Sequence, residues 1–205
     1  MRHDFKAKLS HAFSIDDRGK MTWFLGCNVE QSRGRISLSQ RSYIKDILRK
    51  SHMSDCKAVS TPAIPHTKQS KSDCPIERSE NSLEFCEQKQ YRSLVGNLMY
   101  LSVVSRPDIC FAVYNLAQFV SNPGKAHWCA LKHLLRFLKG TDSLSLVYNR
   151  SENRELFDFS DSDCATDNDD RKSTSCFCFK LSVFCSVVSW GSKKQGCVAL
   201  SFCEA

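Results

Sequence analysis

No apolar run in these 205 residues approaches the roughly 18 residues of a membrane-spanning helix, which excludes a helical membrane span. No apolar stretch follows Met1, Arg2, His3, Asp4 and Lys6 either, so no secretory signal is expected and the cytoplasm or nucleus is the expected location. Twelve cysteines are present, but none pair as C-x-x-C. The closest spacing is Cys176-x-Cys178 without a neighbouring histidine, a weak zinc signal, so free thiols are expected rather than a disulfide framework. No internal repeat is found. With 41% apolar and 25% charged residues, the chain has enough for one ordinary domain or two small ones. Its net charge of +7 fits a polyanion partner without requiring one.

Hydropathy patterning divides the chain. Phe5, Leu9, Ala12 and Phe13 have helical spacing up to Gly19. Residues 22–30 alternate, with Trp23, Leu25, Cys27 and Val29 on one side, which predicts a half-buried strand. Ser32-Arg33-Gly34 turns the chain into a second strand at Ile36 and Leu38, and Ser39 can cap a helix carrying Tyr43, Ile44, Ile47 and Leu48. Residues 54–87 hold Pro62, Pro65 and Pro75 among many serines and lysines, and read as a loop or partly disordered linker. Three helices are expected next. They are centred on Tyr91–Leu98, on a segment starting at Pro107, and on Trp128–Leu138, with Gly140 as a left-handed stop. Strands are then expected at Leu144–Tyr148, Leu156–Ser160, Phe177–Leu181 and Val183–Trp190, with a further helix near Ser201.

The acidic run Asp161-Ser162-Asp163, followed by Asp167, Asp169 and Asp170, carries the most chemistry. At period two, Asp161 and Asp163 project to one side of a strand end, as hard oxygen ligands for Mg2+ would. An acidic turn explains the run equally well. Lys125, Lys132, Arg136 and Lys139 fall in one sector of a helix beside its apolar stripe, where they could track a phosphate backbone or form a solvated face. Arg171-Lys172 and Lys193-Lys194 are basic residues at a turn and at a strand tip, with the same two readings. Asp16-Asp17 lacks a strand to mount it and is not read as a polymerase metal site.

Taken in order, these segments resemble a known family. Trp23-Phe24-Leu25-Gly26, Leu38-Ser39-Gln40, Tyr43-Ile44 and Ser60-Thr61-Pro62 are similar to the closing part of the reverse transcriptase of copia-type LTR retrotransposons. So are Tyr91 through Leu101, Ser105-Arg106-Pro107-Asp108-Ile109 and Leu138-Lys139-Gly140-Thr141. Ser160 through Ala165, Asp170 through Ser175, Ser189-Trp190, Lys193-Lys194-Gln195 and Val198 through Ser201 resemble the start of the ribonuclease H domain that follows.

The resemblance implies an α+β fold: a β-hairpin and a helical thumb or connection, followed by an incomplete ribonuclease H-like sheet. Residues 1–63 would end the polymerase palm, 64–87 would be a linker, 88–141 the helical segment and 144–205 the start of ribonuclease H. It implies nucleic-acid contacts at Lys125, Lys132, Arg136, Lys139, Arg171, Lys172, Lys193 and Lys194. Asp161 would be a vestigial catalytic carboxylate and, with Asp163, a metal ligand. Mg2+ would serve the ancestral enzyme, with none held stably here. The polymerase aspartates would lie before Met1 and the next ribonuclease H ligand would fall at position 206, so an inactive fragment is expected. Cys164, Cys176, Asp158 and Phe202-Cys203 depart from the family pattern. Expected partners are an RNA–DNA hybrid or other nucleic acid, and possible pairing with full-length Pol, with no membrane. Two alternatives remain: a non-catalytic binding or assembly module that pairs with that polymerase, and a nuclease completed by another chain.

Overall fold

The computed structural model describes residues 2–65, 67–76, 82–150 and 155–199. Helix α1 (Arg2–Ala12) forms where the helical spacing predicts it, but Phe5, Phe13 and Ile15 remain exposed, so it packs little. The single strand expected over 22–30 is in fact a tight hairpin. Strand β1 (Trp23–Phe24) turns at Leu25-Gly26 into β2 (Cys27–Ser32), pairing Trp23 with Asn28 and Phe24 with Cys27. Both turn residues have positive φ, 46° and 74°, which is the hand that matches strand twist in a two-residue loop. The reversal buries Cys27 and Val29 and leaves Trp23 and Leu25 outside. A second hairpin at Arg33-Gly34 leads to β3 (Arg35–Ser39).

Helix α2 (Arg41–Lys50) follows, with Gln40 as the residue before its first turn and the Ser39 hydroxyl accepting from the Arg41 amide at 3.3 Å. Helices α3 (Phe85–Val104), α4 (Cys110–Ala117) and α5 (Lys125–Gly140) come next, and Pro107 opens a short 3-10 turn before α4. Their apolar stripes converge on one core. Ile44 and Ile47 of α2, Leu98 and Leu101 of α3, Val113 of α4, and Leu131 and Leu134 of α5 are each at most 2% exposed. Truncating such a leucine to alanine costs about 2–5 kcal/mol, so this cluster carries most of the packing energy.

Gly140 does not adopt the left-handed conformation expected of it; it is the last residue of α5, and its value lies in closeness. A Cβ there would stand 3.0 Å from the Ala58 Cβ. That contact belongs to a strap formed by residues 54–65 and 67–76 of the expected linker, which is irregular apart from a 3-10 turn at Lys71–Asp73. Val59 joins the core, and the Arg136 guanidinium donates to the Lys57 carbonyl at 2.7 Å.

Strand β4 (Leu146–Asn149) forms where expected, but not in the expected sheet. It pairs with β3, Ile36 opposite Tyr148, and completes a four-stranded antiparallel sheet of order β1-β2-β3-β4. Val29, Leu38 and Leu146 share a face across that sheet, which explains the choice of partner: Leu146 is buried there. The second sheet holds three antiparallel strands, β5 (Phe157–Ser162), β6 (Thr174–Lys180) and β7 (Val187–Lys194). The last strand begins later than expected because Ser182–Ser186 form a turn: the Cys185 amide donates to the Ser182 carbonyl, and the Ser186 amide reaches Val147. Trp190 Nε1 donates to the Ser102 carbonyl at 2.8 Å and ties this sheet to α3. The helix expected near Ser201, and Phe202-Cys203, lie outside the described residues.

Candidate functional site

The basic face of α5 is real but uneven. Lys125, Lys132 and Lys139 are exposed, and none of them meets a carboxylate among the described residues. The Lys132 ammonium lies over the Trp128 ring, 5.4 Å from its centroid, a cation–π contact within α5. Arg136 differs, because its guanidinium is half-buried and committed to the Lys57 carbonyl. It is a structural anchor for the strap.

The acidic run folds into a loop between β5 and β6, and most of it is structural. Asp163 accepts from the Thr174 amide at 2.7 Å and from the Thr166 hydroxyl at 2.5 Å, so both its oxygens are engaged. Asp167 accepts from the amides of Asp169 and Asp170 and pairs with Lys194 at 2.6 Å; Lys194 also pairs with Asp170 at 2.9 Å. Burial raises the Asp167 carboxyl, but the hydrogen bonds from Lys194 and the two amides outweigh it and hold the group below its ordinary value. Burial likewise works against the Lys194 ammonium, and the two aspartates overcome it and raise that group. Asp169 accepts from the Ser70 hydroxyl at 2.7 Å and from the Lys71 amide, which latches the strap to the second sheet. Lys194 is thus neutralised within the fold, whereas Arg171 and Lys193 are exposed and Lys172 is half-buried. Asp16 and Asp17 pair with Arg18 and Lys6.

Asp161 stands apart. Its carboxylate is exposed on β5, and its backbone carbonyl accepts from the Cys176 thiol at 3.5 Å. Cross-strand pairing places Asp161, Cys176 and Ser192 side by side on one face of the second sheet, the face turned toward Pro107–Phe111. Cys176, where the family pattern leaves room, puts its thiol on that face, and burial raises it above its ordinary value. Asp158 is exposed and Cys164 half-buried.

Two buried groups escape a reading of the sequence for chemistry. Arg106 is 2% exposed; its guanidinium grips Asp108 through Nε and Nη2 at 2.8 and 2.7 Å and reaches the Thr141 carbonyl at 3.1 Å and hydroxyl at 2.7 Å. His127 is wholly buried, accepts from the Gly124 amide through Nδ1 at 2.9 Å and stacks on Phe119 with ring centroids 4.1 Å apart. Burial lowers its pKa below the ordinary value, against the opposing pull of Asp73 and Asp169.

Comparison with known proteins places these features. Residues 1–65 match the family model described as reverse transcriptase (RNA-dependent DNA polymerase). The retrovirus-related Pol polyprotein from transposon TNT 1-94 of Nicotiana tabacum is 40% identical over 98% of the chain, which spans 15% of that polyprotein. The Pol polyprotein from transposon RE1 of Arabidopsis thaliana is 36% identical over 99% of the chain, 13% of its own length. An uncharacterized mitochondrial protein of Arabidopsis thaliana is 34% identical over 96% of the chain and is covered to 77%. The chain belongs to the Pol polyproteins of copia-type retrotransposons. No solved structure matches it.

Several of the motifs that carry this membership are packing joints. Arg106 of Ser105-Arg106-Pro107-Asp108 bridges Asp108 of the same motif and Thr141 of Leu138-Lys139-Gly140-Thr141 in one clamp. The Ser105 hydroxyl donates to Gln40 Oε1 at 2.6 Å, Tyr91 donates to the Leu116 carbonyl at 2.9 Å, and Tyr100 donates to the Leu25 carbonyl. A Mg2+ centre of the kind the resemblance implies needs several converging hard oxygens. Asp163 is engaged by its two donors, and no group of three His, Cys, Asp or Glu side chains among the described residues could hold a metal. These residues do not fit that centre. No helix among the described residues is long and apolar enough to cross a membrane.

Proposed function

We propose that this chain is the stretch of a copia-type Pol polyprotein that holds nucleic acid between polymerase and nuclease. In this reading, β1–β4 with α2 close the polymerase part, α3–α5 act as a thumb or connection, and β5–β7 begin a ribonuclease H-like sheet. The boundary of that last unit then falls after Asn149 rather than at 144, because β4 belongs to the first sheet. RNA-directed DNA synthesis and hydrolysis of the RNA strand of RNA–DNA hybrids are proposed for the whole polyprotein, of which the chain spans a small part. Asp161 is proposed as a vestigial ribonuclease H carboxylate that binds no Mg2+ stably in this chain.

The observation that carries the reading is the line of Lys125, Lys132 and Lys139 along α5, exposed and without carboxylate partners among the described residues. Such a line neutralises phosphates and releases counterions. Fluorescence anisotropy with a labelled RNA–DNA hybrid tests it, scanned from about 50 to about 200 mM salt. Binding should weaken with salt, and replacing the three lysines by alanine should flatten the log–log slope by about 0.9 per lysine that contacts a phosphate. An unchanged slope, or no complex at low salt, refutes the assignment. A second reading, assembly with full-length Pol, is favoured by β5, whose outer edge pairs with no strand among the described residues. Co-elution with a full-length polymerase in the absence of nucleic acid supports it.

A further inference from the structure

The face that carries Asp161 forms one wall of a groove of about 540 Å³, closed on the other side by the Pro107–Phe111 segment. Its walls are aromatic and apolar: Phe111, Phe159 and Trp190 line it, with Phe111 and Phe159 48% and 59% exposed. In a chain of net charge +7, this groove holds two carboxylates, Asp108 and Asp161, and no lysine or arginine. Asp108 is already held by Arg106, whereas the exposed Asp161 carboxylate has no ion-pair partner among the described residues. The groove lining includes Ser192, 5% exposed, whose buried Oγ has no hydrogen-bond partner among the described residues. A buried hydroxyl without a partner is costly, and native folds seldom leave one so unless something else completes it.

With no cationic side chain in the lining, the Asp161 carboxylate disfavours a phosphate ligand and favours a cation. We infer that the groove is a binding site for an aromatic ammonium group: a flat ring between Phe111, Phe159 and Trp190, a protonated amine at Asp161, and a polar atom of the ring substituent reaching Ser192. The aromatic walls favour the cation through their ring quadrupoles as well as the ring through apolar burial. The site is therefore separate in chemistry from the lysine line on α5, and it stands whether or not that line binds nucleic acid.

Amide shift mapping of the 15N-labelled full chain tests this with 2-naphthylmethylammonium, with 2-naphthylmethanol and 2-naphthoate as neutral and anionic comparators. Shifts confined to Asp161, Cys176, Cys178 and Gly191–Ser192 are expected for the amine, in the millimolar range or tighter. The alcohol should bind about fivefold more weakly, the scale of one exposed ion pair, and the carboxylate more weakly still. Asp161→Asn should equalise amine and alcohol while keeping the dispersed spectrum of the folded protein. Phe159→Ala should weaken both ligands alike, a separate readout of the apolar wall. Equal binding of amine, alcohol and carboxylate to the unsubstituted protein, shifts scattered away from the second sheet, or an amine preference that survives Asp161→Asn would each overturn the assignment.

Discussion

Arg106→Met tests the joint on which the helical core rests. The substitution keeps an apolar stem of similar length and removes every charged hydrogen bond, together with the guanidinium's contact with the Phe137 ring, whose centroid is 5.7 Å from the guanidinium carbon. Breaking a buried ion pair from one side costs about 3–5 kcal/mol, because the partner is left charged and unpaired. Here the partner, the Asp108 side chain, is 33% exposed, so water recovers part of the loss and the lower end, about 3 kcal/mol, is expected. Thr141 keeps its own bond to the Phe137 carbonyl at 2.8 Å and adds little. With a urea slope of about 2 kcal/mol per molar for a chain of this size, the unfolding midpoint should fall by about 1.5 M. Asp108→Asn, which keeps an acceptor in place, should cost about 1 kcal/mol, and the double variant should lose far less than the sum. A midpoint loss under about 0.5 M for Arg106→Met, or strict additivity in the cycle, would refute the clamp.

Two further outcomes are expected. The folded-state pKa of His127 lies below its unfolded value of 6.5, so its contribution to stability is complete above that value and drains away as pH falls toward the folded one. Urea midpoints should therefore drop between about pH 7.5 and about pH 5, and His127→Gln should remove part of that slope. The two glycines under steric pressure should respond differently to alanine. A Cβ on Gly124 would sit 2.1 Å from the Asp73 carbonyl oxygen, backbone that cannot swing aside, so thermal unfolding should register a loss of about 2–3 kcal/mol. On Gly191 the obstacle is the Phe177 ring at 2.7 Å; that side chain is 43% exposed and free to rotate, so under about 1 kcal/mol is expected.

Local patterns in the sequence predict local structure well. Ile44, Ile47 and Leu48, or Leu131, Leu134, Leu135 and Leu138, recur at helical spacing and are buried as that spacing requires. The Leu25-Gly26 turn was hidden because Trp23, Leu25, Cys27 and Val29 alternate without interruption, and leucine is an unusual residue at positive φ. The destination of β4 was not legible either: strand periodicity says which face is apolar but not which distant strand will cover it. The acidic run was legible as chemistry, but that Asp163 and Asp167 would accept hydrogen bonds around their own loop and Asp169 would latch the strap was not, since carboxylates that bind metal and carboxylates that accept from amides look alike until the loop is folded. Of the expected basic contacts, Lys125, Lys132 and Lys139 project as helix geometry says, whereas Arg136 and Lys194 found partners far along the chain that no spacing could reveal.

The pairing of β3 with β4 sets the order in which the polypeptide can mature. Ile36 waits beside an open edge until Tyr148 arrives, and everything between them, including four helices' worth of hydrophobic surface, must leave the ribosome first. Closure across such a span is entropically slow, so the nascent first sheet spends much of its synthesis as an unsealed template for any neighbouring strand. In the folded chain the docking of α2, which follows β3, against α5, which precedes β4, holds the two ends of that gap close together.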